Sequence, residues 1–229
     1  MSVSGLPCVV TIDGPAGVGK STIARRLADD LGFAYLDTGA TYRLVTVAAI
    51  DAGVSPDDEA GIVETIRALE ARFDTDGGVH LGGEDVTSRI RSAEVTALVP
   101  RVAARSGVRR LVVEYQRRFA NRAGRVVAEG RDMGTVVFPD AAVKVYLDGD
   151  PEERARRRQA QEGRATDLGA VLAGIRERDR LDRTRAVSPL VCPEDAWRLD
   201  TTDMTLDQVF QAVRSHVRSR VPIASRDES

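Results

Sequence analysis

Lysine is nearly missing from this chain of 229 residues: only Lys20 and Lys144 occur, so 31 of the 33 basic side chains are arginine. A lysine here is not compositional filler, and the place of each one carries information. Excess positive charge is missing as well, because 35 acidic residues leave a net charge of -2. A general nucleic-acid or membrane-surface binder needs such an excess, so neither partner is expected. The two cysteines, Cys8 and Cys192, stand far apart and form neither a disulfide framework nor a zinc cluster; they suit a reducing compartment and are read as inert thiols. No apolar run approaches the roughly 18 residues of a membrane span, and Met1 to Pro7 has neither the basic start nor the apolar stretch of a signal peptide. The expectation is a soluble cytoplasmic protein. Aromatic residues are only 4%, yet a hydrophobic fraction of 42% is ample for the core of one domain, or one domain with an inserted subdomain.

The first run, Pro7 to Asp13, is short, apolar and β-branched, as suits a strand buried on both faces of a parallel sheet. Thr22 to Leu31 places Ile23, Leu27 and Leu31 at helical spacing, with Gly32 positioned to stop the helix. A strand is expected at Phe33 to Leu36, a helix at Ala40 to Ala52, and a further helix capped at Ser55 and Pro56 that runs through Arg72. Turn signals at Asp76 to Gly78 and at Gly82 and Gly83 then predict a small antiparallel insert, about residues 72–93. Helical spacing resumes from Glu94 to Asn121 with a break at Gly107. Buried strands follow at Arg125 to Ala128 and Ala142 to Leu147. Asp150, Pro151 and Glu153 open an arginine-rich helix. Helices near residues 168–182 and 206–220, with a strand near Trp197 to Leu199 between them, complete an α/β reading.

Gly14 to Ser21 fits G-x-x-x-x-G-K-[ST] and lies after a predicted strand and before a predicted helix, the context of a phosphate-binding P-loop. Glycines let the backbone curl so that its N–H groups and the helix N-terminus face phosphates. Lys20 reaches the β and γ phosphates, and the Ser21 hydroxyl ligates Mg²⁺. The scarcity of lysine makes the match sharp. The Asn-Lys-x-Asp motif by which GTPases read guanine is absent, since Lys144 lies between Val143 and Val145.

Three further runs carry charge where chemistry needs it. Leu36 to Arg43 would open a helix on the P-loop side of the sheet, where Arg43 either holds a second phosphate or is a surface arginine on a capped helix. Glu129 to Thr135 follows a buried strand, so its charges face a cleft. Arg178, Asp182 and Arg185 line one helical face, either as a ligand cluster or as an intrahelical salt-bridge ladder.

Together these runs resemble the bacterial type of cytidylate kinase, a nucleoside monophosphate kinase family. The resemblance spans nearly the whole chain, through Ile12 to Ser21, Leu36 to Ala40, Gly82 to Val86, Glu129 to Ala141, Glu177 to Asp179 and Arg185 to Leu190. It implies a P-loop NTPase-type α/β fold: a parallel sheet flanked by helices, a small antiparallel insert and a helical lid. In domain terms, residues 1–71 and 94–225 would form the kinase core, with the lid at about 150–166, the nucleotide-monophosphate insert at about 72–93 and a tail at 226–229. It also implies ATP on Gly14, Pro15, Ala16, Gly17, Val18, Gly19, Lys20, Ser21 and Thr22. CMP or dCMP would lie on Thr38, Arg43, Arg109, Arg131, Asp132, Arg178, Asp182 and Arg185. By that match Arg43 and Arg131 hold the CMP phosphate, Arg109, Asp132 and Arg185 read cytosine, and Arg178 with Asp182 hold the sugar. Pro100 stands where some members carry a serine near the base or sugar.

The reaction so implied is transfer of the γ-phosphoryl of ATP to CMP or dCMP by a monomer. Its nucleophile is a phosphate oxygen already anionic at neutral pH, so no general base is required. Catalysis then rests on alignment and charge neutralisation by Lys20, Mg²⁺ and arginine forks. The resemblance places the lid arginines on the helix after Pro151. Arg154 and Arg158, which share a face there, are the expected catalytic donors to the transferring phosphoryl, Arg157 is the alternative donor, and a merely solvated arginine-rich helix is the competing reading. Another small-molecule acceptor, or a nucleotide-dependent switch or RNA-binding module, remains open at this point.

Overall fold

A computed structural model describes residues 7–74, 78–162 and 167–221. The expected turn at Asp76 and Gly77, the end of the expected lid at 163–166 and the tail at 226–229 lie outside the described residues. The chain divides into two compact units, Met1–Ala34 with Ala123–Ser229, and Tyr35–Arg122.

A five-stranded sheet runs in the order β2-β6-β1-β7-β8, formed by β1 (Cys8–Asp13), β2 (Ala34–Asp37), β6 (Arg125–Gly130), β7 (Val143–Asp148) and β8 (Trp197–Asp200). In the first unit β1 is the central strand. It pairs in parallel with β6, Cys8 opposite Arg125 through Asp13 opposite Gly130, and with β7, Val10 opposite Val143. Val9, Val10, Ile12, Val126, Val127, Ala128, Val145 and Leu147 are all buried. β-Branched residues on both faces of a strand fit a sheet covered by helices on both sides. The register brings the C-terminal ends of β1 and β6 level, so Asp13 and Glu129 emerge at the same rim as the loop that follows β1.

Helix α1 (Lys20–Leu31) buries Ile23, Ala24, Leu27 and Leu31, and stops at Gly32, whose N–H reaches back to Ala28 and Asp29. Helix α8 (Leu206–Arg218) starts in a capping box of Thr205 and Gln208 and packs against α1. Asp30 of α1 takes Arg214 at 2.8 Å and Arg218 at 2.9 Å, so part of the arginine excess is spent in surface pairing between these helices. Helices α6 (Pro151–Glu162) and α7 (Leu168–Thr184) pack against one another in the same unit. A short π-helical turn, Met133–Val137, follows β6. It has no periodic signature in the sequence.

In the second unit α2 (Thr38–Asp51) is central. Its sequence is apolar almost all round, so it buries two faces: Ala40, Leu44 and Val47 against Val79, Val86, Ile90 and Val95, and Tyr42, Val45 and Ala49 against Ile62, Val102, Val108 and Val112. A three-stranded antiparallel sheet, β3 (Ala71–Phe73), β4 (Val79–Leu81) and β5 (Glu84–Asp85), falls in the first part of the span expected as the insert. Two boundaries differ from the sequence expectation. Helix α3 spans only Glu59–Arg67, because Ser55 spends its hydroxyl and carbonyl on a turn with Asp57 and Asp58, and Asp58 caps the helix by accepting the Gly61 N–H at 3.0 Å. The break between α4 (Ala93–Ala103) and α5 (Ser106–Ala123) falls at residues 104–105 rather than at Gly107, whose N–H is taken by the Glu59 carboxylate at 2.5 Å.

Candidate functional site

In the first unit the chain leaves β1 at Asp13 and turns through Gly14 to Gly19 into α1. Gly14 has φ +149°, and a Cβ there would lie 2.1 Å from the Leu147 carbonyl oxygen, so no other residue fits. Gly19 caps α1 in the left-handed conformation with no side-chain cap, which leaves the first N–H groups of the helix for an anion. Lys20 opens the helix with its side chain buried, and its Nζ donates to the Pro15 carbonyl at 2.6 Å. Burial, and then the positive field of Arg131 and Arg178, push its pKa well below the ordinary lysine value, against the pull of Glu129 and Asp13. A desolvated ammonium facing two guanidinium groups is a site that gains most from an arriving polyanion.

The rim opposite is built from the end of β6 and from α7. Ser21 donates its hydroxyl to Glu129 at 2.7 Å. Arg131 donates to Asp182 at 2.7 Å and to the Gly130 carbonyl at 3.3 Å. Burial pulls the Arg131 pKa down, but Asp182, Glu129 and Asp179 outweigh it and hold the guanidinium charged. Burial alone would raise Asp182, yet Arg131, Arg178 and Arg185 keep it below the usual carboxylate range. Arg185 lies 3.8 Å from both Asp182 and the buried Asp132, and its Nε donates to the Ser188 carbonyl. Thus Lys20, Arg131, Asp132, Arg178, Asp182 and Arg185 form one electrostatic cluster at the P-loop end of the sheet. The intrahelical ladder reading of α7 is too small for it, since Asp182 pairs most closely with Arg131 from another element.

Asp13 was not foreseen as a working residue. Its buried carboxylate accepts the N–H of Met133 at 2.9 Å and of Gly134 at 2.7 Å, and so fixes the turn just after Asp132. Burial pushes its pKa up to about 6, with Asp132 adding to the rise while the two N–H donors and Lys20 oppose it. Its place as the last residue of β1 was the available signal.

Among the arginines of α6, Arg154 is buried and pairs with Asp179 at 2.7 Å, donating also to the carbonyls of Ala16 at 2.8 Å and Gly149 at 2.9 Å. Arg157 donates to the carbonyls of Thr201, Thr202 and Met204 and pairs with Glu153 at 3.3 Å. Arg158 is half-buried. Cys8 and Cys192 are half-buried free thiols whose pKa burial raises, so neither is poised as a thiolate. Among the described residues no helix is long and apolar enough to cross a membrane.

The second unit carries the other three expected residues. Thr38 is buried at the start of α2, where Asp37 caps the helix through the Ala40 N–H at 2.9 Å and Thr41 donates its hydroxyl to the Thr38 carbonyl. Arg43 donates to the Ile90 carbonyl at 3.1 Å and to Thr96 at 2.8 Å. Arg109 is buried on α5, donates to the Ala103 carbonyl at 3.2 Å and lies over the Tyr42 ring at 5.3 Å. Pro100, the departure noted above, lies inside α4.

Residues 10–219 match the family described as cytidylate kinase. The chain belongs to that family. The cytidylate kinase of Mycobacterium leprae is 50% identical over 215 residues, covering 93% of this chain and 96% of its own. That of Nocardia farcinica is 46% identical over 225 residues, covering 96% and 97%. Among solved structures, an uncharacterised protein from Eubacterium ventriosum superposes with a TM-score of 0.54 at 11% identity over 93% of this chain and 99% of its own, a likeness of fold alone. Membership of the cytidylate kinase family fits a P-loop NTPase-type sheet with a small antiparallel insert.

Proposed function

We propose that the protein transfers the γ-phosphoryl of ATP to CMP or dCMP, giving ADP and CDP or dCDP. The observation that carries the reading is the convergence of a buried, pKa-depressed Lys20 with Arg131 and Arg178 at the P-loop, in a chain of this family. Gly14 to Thr22 hold the phosphates of ATP. Arg131 serves the CMP phosphate, Asp132 and Arg185 the base, and Arg178 with Asp182 the sugar. By the family match Thr38, Arg43 and Arg109 are assigned to CMP as well.

The acceptor oxygen arrives as an anion, so the chain supplies no base. It supplies neutralisation: Lys20 moves from the Pro15 carbonyl to the phosphates, and Arg131 holds the acceptor phosphate while anchored by Asp182. The contact with the transferring phosphoryl falls to the α6 arginines Arg154, Arg157 and Arg158, of which Arg154 and Arg157 also hold backbone carbonyls in this structure. Ser21 and Glu129, 2.7 Å apart, present the hard oxygen donors that suit Mg²⁺ alongside the nucleotide phosphates. When bound, Mg²⁺ would neutralise charge on the transferring phosphate.

The test is direct separation of nucleotides after incubation with ATP, Mg²⁺ and CMP. Stoichiometric CDP and ADP are expected. Asp132→Ala should weaken discrimination for CMP while leaving ATP affinity nearly intact; lost ATP binding would place Asp132 with the metal instead.

A further inference from the structure

Ala16, at the crest of the P-loop, has both its backbone N–H and its carbonyl, which belong to successive peptide groups, gripped by one buried ion pair. Its N–H donates to Asp179 Oδ1 at 3.2 Å, its carbonyl accepts from Arg154 at 2.8 Å, and Arg154 and Asp179 close the ring through a contact of 2.7 Å. Both side chains are almost wholly buried, with 2% and 9% of their surface exposed, and Arg154 is further fixed by the Gly149 carbonyl. The next residue, Gly17, leaves only contact room: a Cβ there would lie 3.4 Å from the Arg154 carbonyl oxygen and 3.4 Å from the Ile175 side chain. The crest of the loop is therefore seated on α6 and α7.

We propose that Asp179 and Arg154 are positioning residues for ATP: the pair presets the curl of the P-loop so that its remaining N–H groups are aimed before the phosphates arrive. This inference rests on the phosphate-binding role proposed for the loop. It separates neighbours on one helix. Asp179 follows Arg178 and precedes Asp182, which serve CMP, yet its own side chain turns to the ATP loop. A free loop must be ordered by the ligand at the ligand's expense, whereas a clamped one is already ordered. Keeping a hydrogen-bond acceptor but removing the charge leaves Arg154 without its counter-charge and lets the Ala16 backbone move.

The experiment compares the wild type with Asp179→Asn, Asp179→Glu and the double variant Arg154→Met with Asp179→Asn. The last removes both charges from the interior and guards against a fold failure caused by one unpaired ion. ATP binding is measured by calorimetry without CMP, and KM for CMP by steady-state kinetics; neither quantity depends on the active fraction. Both asparagine variants should bind ATP at least about tenfold more weakly, with KM for CMP changed by less than about twofold, and Asp179→Glu should recover part of the loss. Unchanged ATP affinity in both asparagine variants, or a change confined to CMP, overturns the inference. If the wild type itself fails to bind ATP, the phosphate-loop reading fails instead, a distinct result.

Discussion

Replacing Asp13 by asparagine tests whether burial dominates the site's electrostatics. The folded protein holds this carboxyl at a pKa of about 6, against 3.8 for an ordinary aspartate. Two pKa units correspond to about 3 kcal/mol of differential stability. The sign follows from the direction of the shift. The folded state binds the Asp13 proton more tightly than the unfolded state does, so this contribution is fully present below the unfolded pKa and is lost as pH rises through about 6. Asparagine carries no such proton. Urea unfolding of both proteins at several values between about pH 4 and about pH 7 should therefore show wild-type stability falling relative to Asp13→Asn by about 2 kcal/mol across that window, the rest of the effect lying below pH 4. The variant is expected to be less stable by a constant offset as well, because its amide meets one of the two N–H donors of Met133 and Gly134 with a donor of its own. Only the change in the difference carries the test. A difference constant with pH, or one in which the wild type gains as pH rises, would mean that the two N–H donors and Lys20 outweigh burial, and the argument for a desolvated P-loop rim would fail.

Lys20→Arg keeps the charge but puts a broad planar fork where a compact ammonium lies 2.6 Å from a carbonyl, and kcat/KM should fall about 100-fold or more; unchanged turnover would contradict its role. Arg131→Lys loses the fork that pairs with Asp182, so KM for CMP should rise about tenfold with a much smaller effect on ATP, measured in the same kinetic assay. Gly14→Ala drives a Cβ against the Leu147 carbonyl, and thermal melts should show a loss of about 3 kcal/mol or more, or no folded protein. An unaltered midpoint would show that the chain can leave β1 by another path.

The elements that came out of the sequence most fully are those whose signals are local. β1 and α1 follow from an apolar run, a glycine loop and helical spacing, and the P-loop is sharp because lysine is so scarce. The opening imbalance resolves unevenly. Lys20 sits at the centre of the charge cluster, while Lys144 is buried with its ammonium 2.7 Å from the carboxylate of Asp195. The arginines divide between surface pairs such as those to Asp30 and the cluster around Asp182. What the sequence does not display is contact across long separations. Arg154 reads from the sequence as a lid arginine sharing a face with Arg158, and its burial follows only once α7 brings Asp179 to the P-loop crest, 163 positions from Ala16. Asp13 likewise reads as the end of a strand until the turn at Met133 lays two N–H groups on it. No periodicity marks that turn, in which Asp13 takes the N–H groups of Met133 and Gly134 while the Asp132 and Met133 carbonyls take those of Val136, Val137 and Phe138.

The central claim is that a nucleoside monophosphate of cytosine is the acceptor. Coupled ADP release with CMP, dCMP, UMP, AMP, GMP and shikimate in parallel tests it most directly. Release well above the no-acceptor control with CMP or dCMP, and far slower release with the purine nucleotides and shikimate, is the predicted result. Release with CMP no faster than in the control would contradict it.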